Sequence, residues 1–153
     1  MEKSVELGVK SITPFVSDFS YIKSKNRVSE SKVKRWATIA KSACQQSGRG
    51  HALDLKGVLS LPEALSEAAS PDSLNLFAYE KAQSLSLKSY IATHRLREKE
   101  NVNIFVGSEG GFSQKESDLF SSFKIQPISL GQQILRVETA CVALISSIKY
   151  ELS

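Results

Sequence analysis

Two stretches of the chain carry residue types suited to binding and chemistry: Val106-Gly107-Ser108-Glu109-Gly110-Gly111-Phe112-Ser113, and Ile128-Ser129-Leu130-Gly131-Gln132-Gln133-Ile134-Leu135-Arg136-Val137-Glu138-Thr139-Ala140. Each begins where an apolar, strand-like run ends, turns on glycine and leads into a helical pattern. That layout predicts two backbone-lined loops at one edge of a parallel sheet, where α/β proteins bind ligands. The first stretch is neither the Gly-x-Gly-x-x-Gly dinucleotide fingerprint nor a phosphate-binding loop, which needs a Lys-Ser/Thr pair. Taken alone, it reads first as a tight strand-to-helix turn. Glu109 either holds a ligand group or pins its own loop. Glu138 is favoured by the helix dipole as a first-turn acid, and Thr139 reads as a helix-start residue. Arg136 is a cation at a helix N-terminus, which the dipole disfavours, so its spacing points to an anionic partner.

Together the two stretches resemble the SPOUT class of S-adenosylmethionine-dependent RNA methyltransferases. Within that class the chain is similar to the RsmE family, which shows GPEGG-type and LG-x-R-I-L-R-x-E-T-A-type signatures. Lys3-Ser4-Val5-Glu6-Leu7-Gly8-Val9 and Gln45-Gln46-Ser47-Gly48-Arg49 also resemble that family's K-A-x-E-L-G-V and E-Q-S-G-R stretches, so the likeness covers nearly the whole chain. The resemblance implies an enzyme that methylates N3 of a uridine in small-subunit ribosomal RNA, with S-adenosylmethionine as cofactor. It also implies a C-terminal trefoil knot, a homodimer, the small ribosomal subunit or its RNA as partner, a cytoplasmic location and no metal.

On this reading the cofactor is held by Gly107, Glu109, Gly110, Gly111, Leu130, Gly131, Ile134 and Leu135, with glycines permitting close backbone approach and Leu130, Ile134 and Leu135 forming an apolar wall. Arg136 and Glu138 are the catalytic residues. An arginine hydrogen-bonded to a uracil carbonyl oxygen stabilises the negative charge that spreads over the ring as N3 loses its proton. Two positions depart from the family pattern: Ser108 stands where it has proline, and Gln133 where it has arginine. The chain begins at what resembles the linker into the catalytic domain, so the N-terminal PUA-like RNA-binding domain is expected to be absent. Two alternatives stand beside the enzyme: a non-catalytic RNA- or donor-binding module, and a SPOUT methyltransferase acting on another RNA.

With 153 residues, 41% of them hydrophobic and 24% charged, the chain fits a single globular domain with a real core. Its longest apolar run, residues 140–145, is far short of the roughly 20 residues of a membrane span. The N-terminus lacks the basic start and apolar run of a signal peptide. Cys44 and Cys141 lie far apart in helical patterns, without a Cys-x-x-Cys partner, and read as buried thiols in a reducing compartment. The net charge of +4 is concentrated: Lys23, Lys25, Arg27, Lys32, Lys34 and Arg35 face the single acid Glu30. On composition that segment is either a solvated loop or a phosphate contact, and the resemblance favours the second. His51 and His94 are isolated and read as surface or structural, so no general base is assigned.

The elements that must position these residues alternate between helix and strand, the pattern of an α/β domain with a mostly parallel sheet flanked by helices. Helices are predicted at residues 3–7, from a cap at Ser29 or Ser31 to Gly48, and at 62–69, 113–123 and 138–152. Val33, Trp36, Ile39, Ala40, Ala43 and Cys44 form the core face of the second helix, and Ser113 with Glu116 a capping box at the fourth. Strands are predicted at residues 12–16, with Pro14 marking an edge or bulge, and at 52–55, 74–79, 103–106 and 124–129. Ser70-Pro71-Asp72 reads as a turn and residues 81–89 as a surface loop. The last helix carries Cys141, Leu144, Ile145 and Ile148 at core spacing, with Ala140, Val142 and Ala143 on other faces. So broad an apolar surface implies wide burial or a partner subunit.

Overall fold

In the computed structural model, which describes residues 1–80 and 85–153, the chain runs α1 (Glu2–Glu6), β1 (Ser11–Ile12), β2 (Phe15–Val16), α2 (Glu30–Gln46), β3 (Asp54–Leu55), β4 (Leu59–Ser60), α3 (Leu61–Ala68), β5 (Ser73–Ala78), α4 (Leu87–Thr93), β6 (Asn101–Phe105), α5 (Gln114–Ser122), β7 (Gln126–Ile128) and α6 (Val137–Leu152). Among the described residues every pair of these strands is parallel: β1 with β3, β2 with β4, and a main sheet in the order β6-β5-β7. The fold is therefore α/β, with parallel sheets flanked by helices.

β5 is central, and its C-terminal part is apolar on both faces, as a strand covered by helices on both sides requires. Leu74 and Leu76 point into a core shared with Leu87 and Tyr90 of α4, Leu144 and Ile148 of α6, and Ile128 of β7. Phe77 and Tyr79 point the other way, into a core with Leu61 and Leu65 of α3, Phe105, Phe112 and Phe120. Phe77 and Phe120 stack with ring centroids 4.0 Å apart, and Phe112 meets both edge-on.

Several expectations are corrected. The strand predicted at 12–16 is two short strands divided at Thr13 and Pro14, because proline has no N–H to give the ladder. Its carbonyl is still used, accepting from Leu59 at 3.0 Å. β4 lies between the strand predicted at 52–55 and the helix predicted at 62–69, where no element is predicted. Of the loop predicted at 81–89, residues 81–84 lie outside the described residues, and the chain from Leu87 is the helix α4, capped by Ser86. The predicted core face of α2 is buried only in its C-terminal half: Ala40 and Ala43 pack with Val5 of α1, whereas Val33 is 41% exposed. The short α1 covers no more of it. Both cysteines are half-buried rather than buried, and burial pushes the Cys141 thiol above its ordinary value, the direction of an unreactive thiol. α6 has one buried stripe, Ala140, Leu144 and Ile148, flanked by half-buried Cys141, Val142, Ala143 and Ile145. No helix among the described residues is long and apolar enough to cross a membrane.

Candidate active site

All three strands of the main sheet deliver their C-terminal ends to one cleft of about 510 Å³, a volume within the range of small-molecule sites. β5 contributes Ala78, then Tyr79 and Glu80. The loop after β6 contributes Val106 to Glu109 and Gly111, and the segment after β7 runs from Ile128 through Glu138 along the opposite wall. This is the position at which an open parallel sheet, with connections leaving on both faces, presents a crevice.

The glycines shape the walls in different ways. A Cβ on Gly107 would lie 2.7 Å from the carbonyl oxygen of Gly111, a backbone atom that no side-chain movement can relieve. Gly111 closes that turn by donating its N–H to the Ser108 carbonyl at 2.8 Å, with φ at +69°. Gly131, at φ +119°, occupies backbone space that side-chain-bearing residues avoid. Its strand end is anchored from outside, since Ser129 donates its N–H to the Leu85 carbonyl at 3.0 Å.

Nine of the residues singled out from sequence meet here: Gly107, Glu109, Gly111, Leu130, Gly131, Ile134, Leu135, Arg136 and Glu138. Gly110 is not part of the lining. It faces the other way, where a Cβ would sit 2.9 Å from the Cβ of Phe19. Sequence reasoning missed Ala78, Tyr79 and Glu80. The signal was present, because a buried parallel strand ending at residue 79 must open onto the same edge as its neighbours.

Arg136 is exposed and is the N-cap residue of α6. It makes no side-chain cap bond and enters no ion pair among the described residues. It is the only cationic side chain among the described residues of the cleft, beside the carboxylates of Glu80, Glu109 and Glu138. Ile134 is 79% exposed, an apolar side chain left open over the cleft. The hydroxyls of Tyr79 and Ser108 are buried with no hydrogen-bond partner among the described residues. Both residues line the cleft, and an unpaired buried hydroxyl is costly until water or a ligand satisfies it. Open space beside Gly111, polar groups in want of partners and an apolar wall fit a ligand with both apolar and polar parts. His51 and His94 lie outside the cleft. His94 stacks on Tyr90 at 4.0 Å, with its Nδ1 2.9 Å from the Tyr90 carbonyl oxygen. Among the described residues no group of three or more His, Cys, Asp or Glu is placed to hold a metal ion.

The first loop is braced by a contact far away in sequence. Ser113 caps α5, accepting from the Glu116 N–H at 3.2 Å, and Glu116 returns the bond by accepting from the Ser113 N–H at 2.9 Å. The other carboxylate oxygen of the buried Glu116 accepts from the Asp18 N–H at 2.7 Å, while the Ser113 hydroxyl donates to the Asp18 carboxylate at 2.6 Å. Glu116→Ala strands two backbone donors and is expected to destabilise the domain by about 2–4 kcal/mol, read as a lowered denaturation midpoint at unchanged slope.

The family described as RNA methyltransferase domain matches residues 1–149. The chain is 33% identical over 150 residues to a protein of Buchnera aphidicola named ribosomal RNA small subunit methyltransferase E, across 97% of this chain and 58% of that one. A ribosomal RNA small subunit methyltransferase E from Neisseria gonorrhoeae, solved bound to S-adenosyl methionine, superposes with a TM-score of 0.81 at 30% identity, covering 98% of this chain and 58% of that one. A putative methyltransferase from Legionella pneumophila, solved with bound cofactor SAM, gives 0.85 at 31%, covering 98% and 59%. The chain thus spans under three-fifths of the length of these relatives. Across nearly the whole of its own length it carries the match, and it belongs to the family of RNA methyltransferase domains.

Proposed function

We propose that this domain transfers a methyl group from S-adenosylmethionine to N3 of a uridine in small-subunit ribosomal RNA. The observation that carries the proposal is the meeting of both glycine loops and the end of β5 in one cleft whose only described cation is Arg136. Gly107, Glu109, Gly111, Leu130, Gly131, Ile134 and Leu135 line the donor's place, and Gly110 gives the loop its packing against Phe19. The donor, when bound, supplies an electrophilic methyl group on a sulfonium.

Uracil N3 holds a proton that passes to solvent water as the new N3–carbon bond forms and the methyl–sulfur bond breaks, leaving S-adenosylhomocysteine. Arg136, hydrogen-bonded to a uracil carbonyl oxygen, stabilises the charge that the departing proton leaves on the ring. The Glu138 carboxylate stands in the first turn of α6, where the helix dipole supports its negative charge. A cytoplasmic location and a single SPOUT-type domain over these residues belong to the same reading. So does the trefoil knot, which the family resemblance implies.

The test is incubation of small-subunit ribosomal RNA with isotopically labelled donor, followed by mass analysis of its nucleosides. Labelled 3-methyluridine is the expected product. The loss of a cation at Gln133 favours a second reading, a module that binds donor without turnover, and no transfer with donor still bound would select it. Label appearing only on transfer or other RNA would redirect the substrate.

A homodimer is part of the proposal as well. The half-buried flanks of α6, with Tyr150 78% exposed and Leu152 45% exposed, leave apolar surface on the last helix for a second subunit. Light scattering at micromolar concentration is expected to give about twice 16.8 kDa; a monomer mass with intact folding would reject the dimer.

A further inference from the structure

We infer that Tyr21 is a stacking platform for an unpaired base of the RNA strand whose nucleotide enters the cleft. The inference rests on the proposal that the substrate is RNA, and it names a contact outside the cleft. The segment bearing Tyr21 is fixed beside the first glycine loop. Asp18 is held by Glu116 and Ser113, and Ser20 closes a turn by donating its N–H to the Ser17 carbonyl at 3.0 Å. Phe19 packs directly on Gly110, next to Glu109 of the cleft lining, and remains 51% exposed. Two residues on, Tyr21 stands 98% exposed.

A side chain so open contributes nothing to the core, and a rigid aromatic ring in water is what base stacking requires. Charge identifies the partner. Between Phe19 and Ser29 there are three cations, Lys23, Lys25 and Arg27, and no acid. Lys25 is paired with Glu63, whose carboxyl pKa is lowered to about 2 by that bond and by the Ser60 N–H and hydroxyl, and Lys23 donates to the Asp18 carbonyl. Arg27 enters no ion pair among the described residues and is exposed. An aromatic followed by a free cation suits a strand with splayed bases and regular phosphates. A second copy of this chain, itself at +4, brings like charge to the same patch and is the less favourable occupant.

The experiment is fluorescence anisotropy of a labelled ten-nucleotide oligouridine and of a labelled RNA duplex, titrated with the wild-type chain and with Tyr21→Ala, Tyr21→Phe and Arg27→Ala. Tyr21→Ala is expected to weaken single-strand binding about tenfold at every salt concentration and to leave the duplex unaffected, with Tyr21→Phe restoring the loss. Arg27→Ala weakens both RNAs and flattens the salt dependence. Equal affinity of Tyr21→Ala and wild type for the oligouridine would overturn the inference. So would failure of wild type to bind either RNA, or a loss in Tyr21→Ala that tracks dissociation of a dimer in light scattering. Calorimetric titration with donor runs alongside: Tyr21-dependent RNA binding without donor binding would remove the methyltransferase reading and leave this contact standing.

Discussion

Arg136→Ala is expected to leave donor affinity nearly unchanged while lowering methyl transfer by about 100-fold or more, the order of loss when one donor to a developing anion is removed. Arg136 is an exposed N-cap residue without a side-chain cap bond, so its removal leaves α6 and the core intact and the loss reports chemistry. Arg136→Lys keeps the charge but not the planar fork of donors, and should fall between the two. If Arg136 instead anchors RNA phosphate, the deficit appears in RNA affinity and shrinks as salt rises. Single-turnover rates at saturating RNA separate these outcomes. Should the wild-type chain transfer slowly, Gln133→Arg is expected to raise the rate by returning a cation to the cleft.

The second large effect lies in the glycine walls. Gly131→Val places a β-branched residue at φ +119° and in the cleft lining, and Gly107→Ala drives a Cβ to 2.7 Å from a backbone oxygen. Strain of about 1–3 kcal/mol at such positions is enough to weaken donor binding by roughly 5- to 150-fold when the loop itself is the binding surface. Calorimetry with S-adenosylmethionine measures it. Gly57→Ala is the control: a Cβ there meets nothing within 4 Å and its φ is unexceptional, so its affinity should match wild type. Equal loss in all three variants would mean that the effect is not one of the cleft.

The parts of the molecule legible in sequence are those with a local physical signature. The capping box at Ser113 and Glu116, the glycine turns and the strand beneath Leu74, Leu76 and Phe77 each follow from hydrogen bonding or periodicity over a few residues. Order and spacing placed both glycine segments at strand ends, and their convergence on one cleft follows from parallel pairing. What escaped depends on distant partners. Glu116 reads as a cap, but its bond to the Asp18 N–H joins residues 98 positions apart, and nothing near either residue announces it. Gly110 reads as one of three loop glycines, yet its missing Cβ makes room for Phe19 rather than for a ligand. The face of α2 has core periodicity throughout, although α1 is too short to cover Val33. Tyr79 and Glu80 lack glycine beside them, and only the position of β5 between its neighbours brings them to the cleft.

The most direct measurement of the donor site is nuclear magnetic resonance of the chain labelled with ¹⁵N at its eight glycines, titrated with S-adenosylhomocysteine. Gly107, Gly111 and Gly131, which line the cleft, are expected to shift together and saturate with one constant, while Gly8, Gly48, Gly50 and Gly57 stay in place. Saturating shifts confined to those four, or no shift at Gly107, Gly111 and Gly131 at millimolar ligand, would contradict a donor site between the two loops.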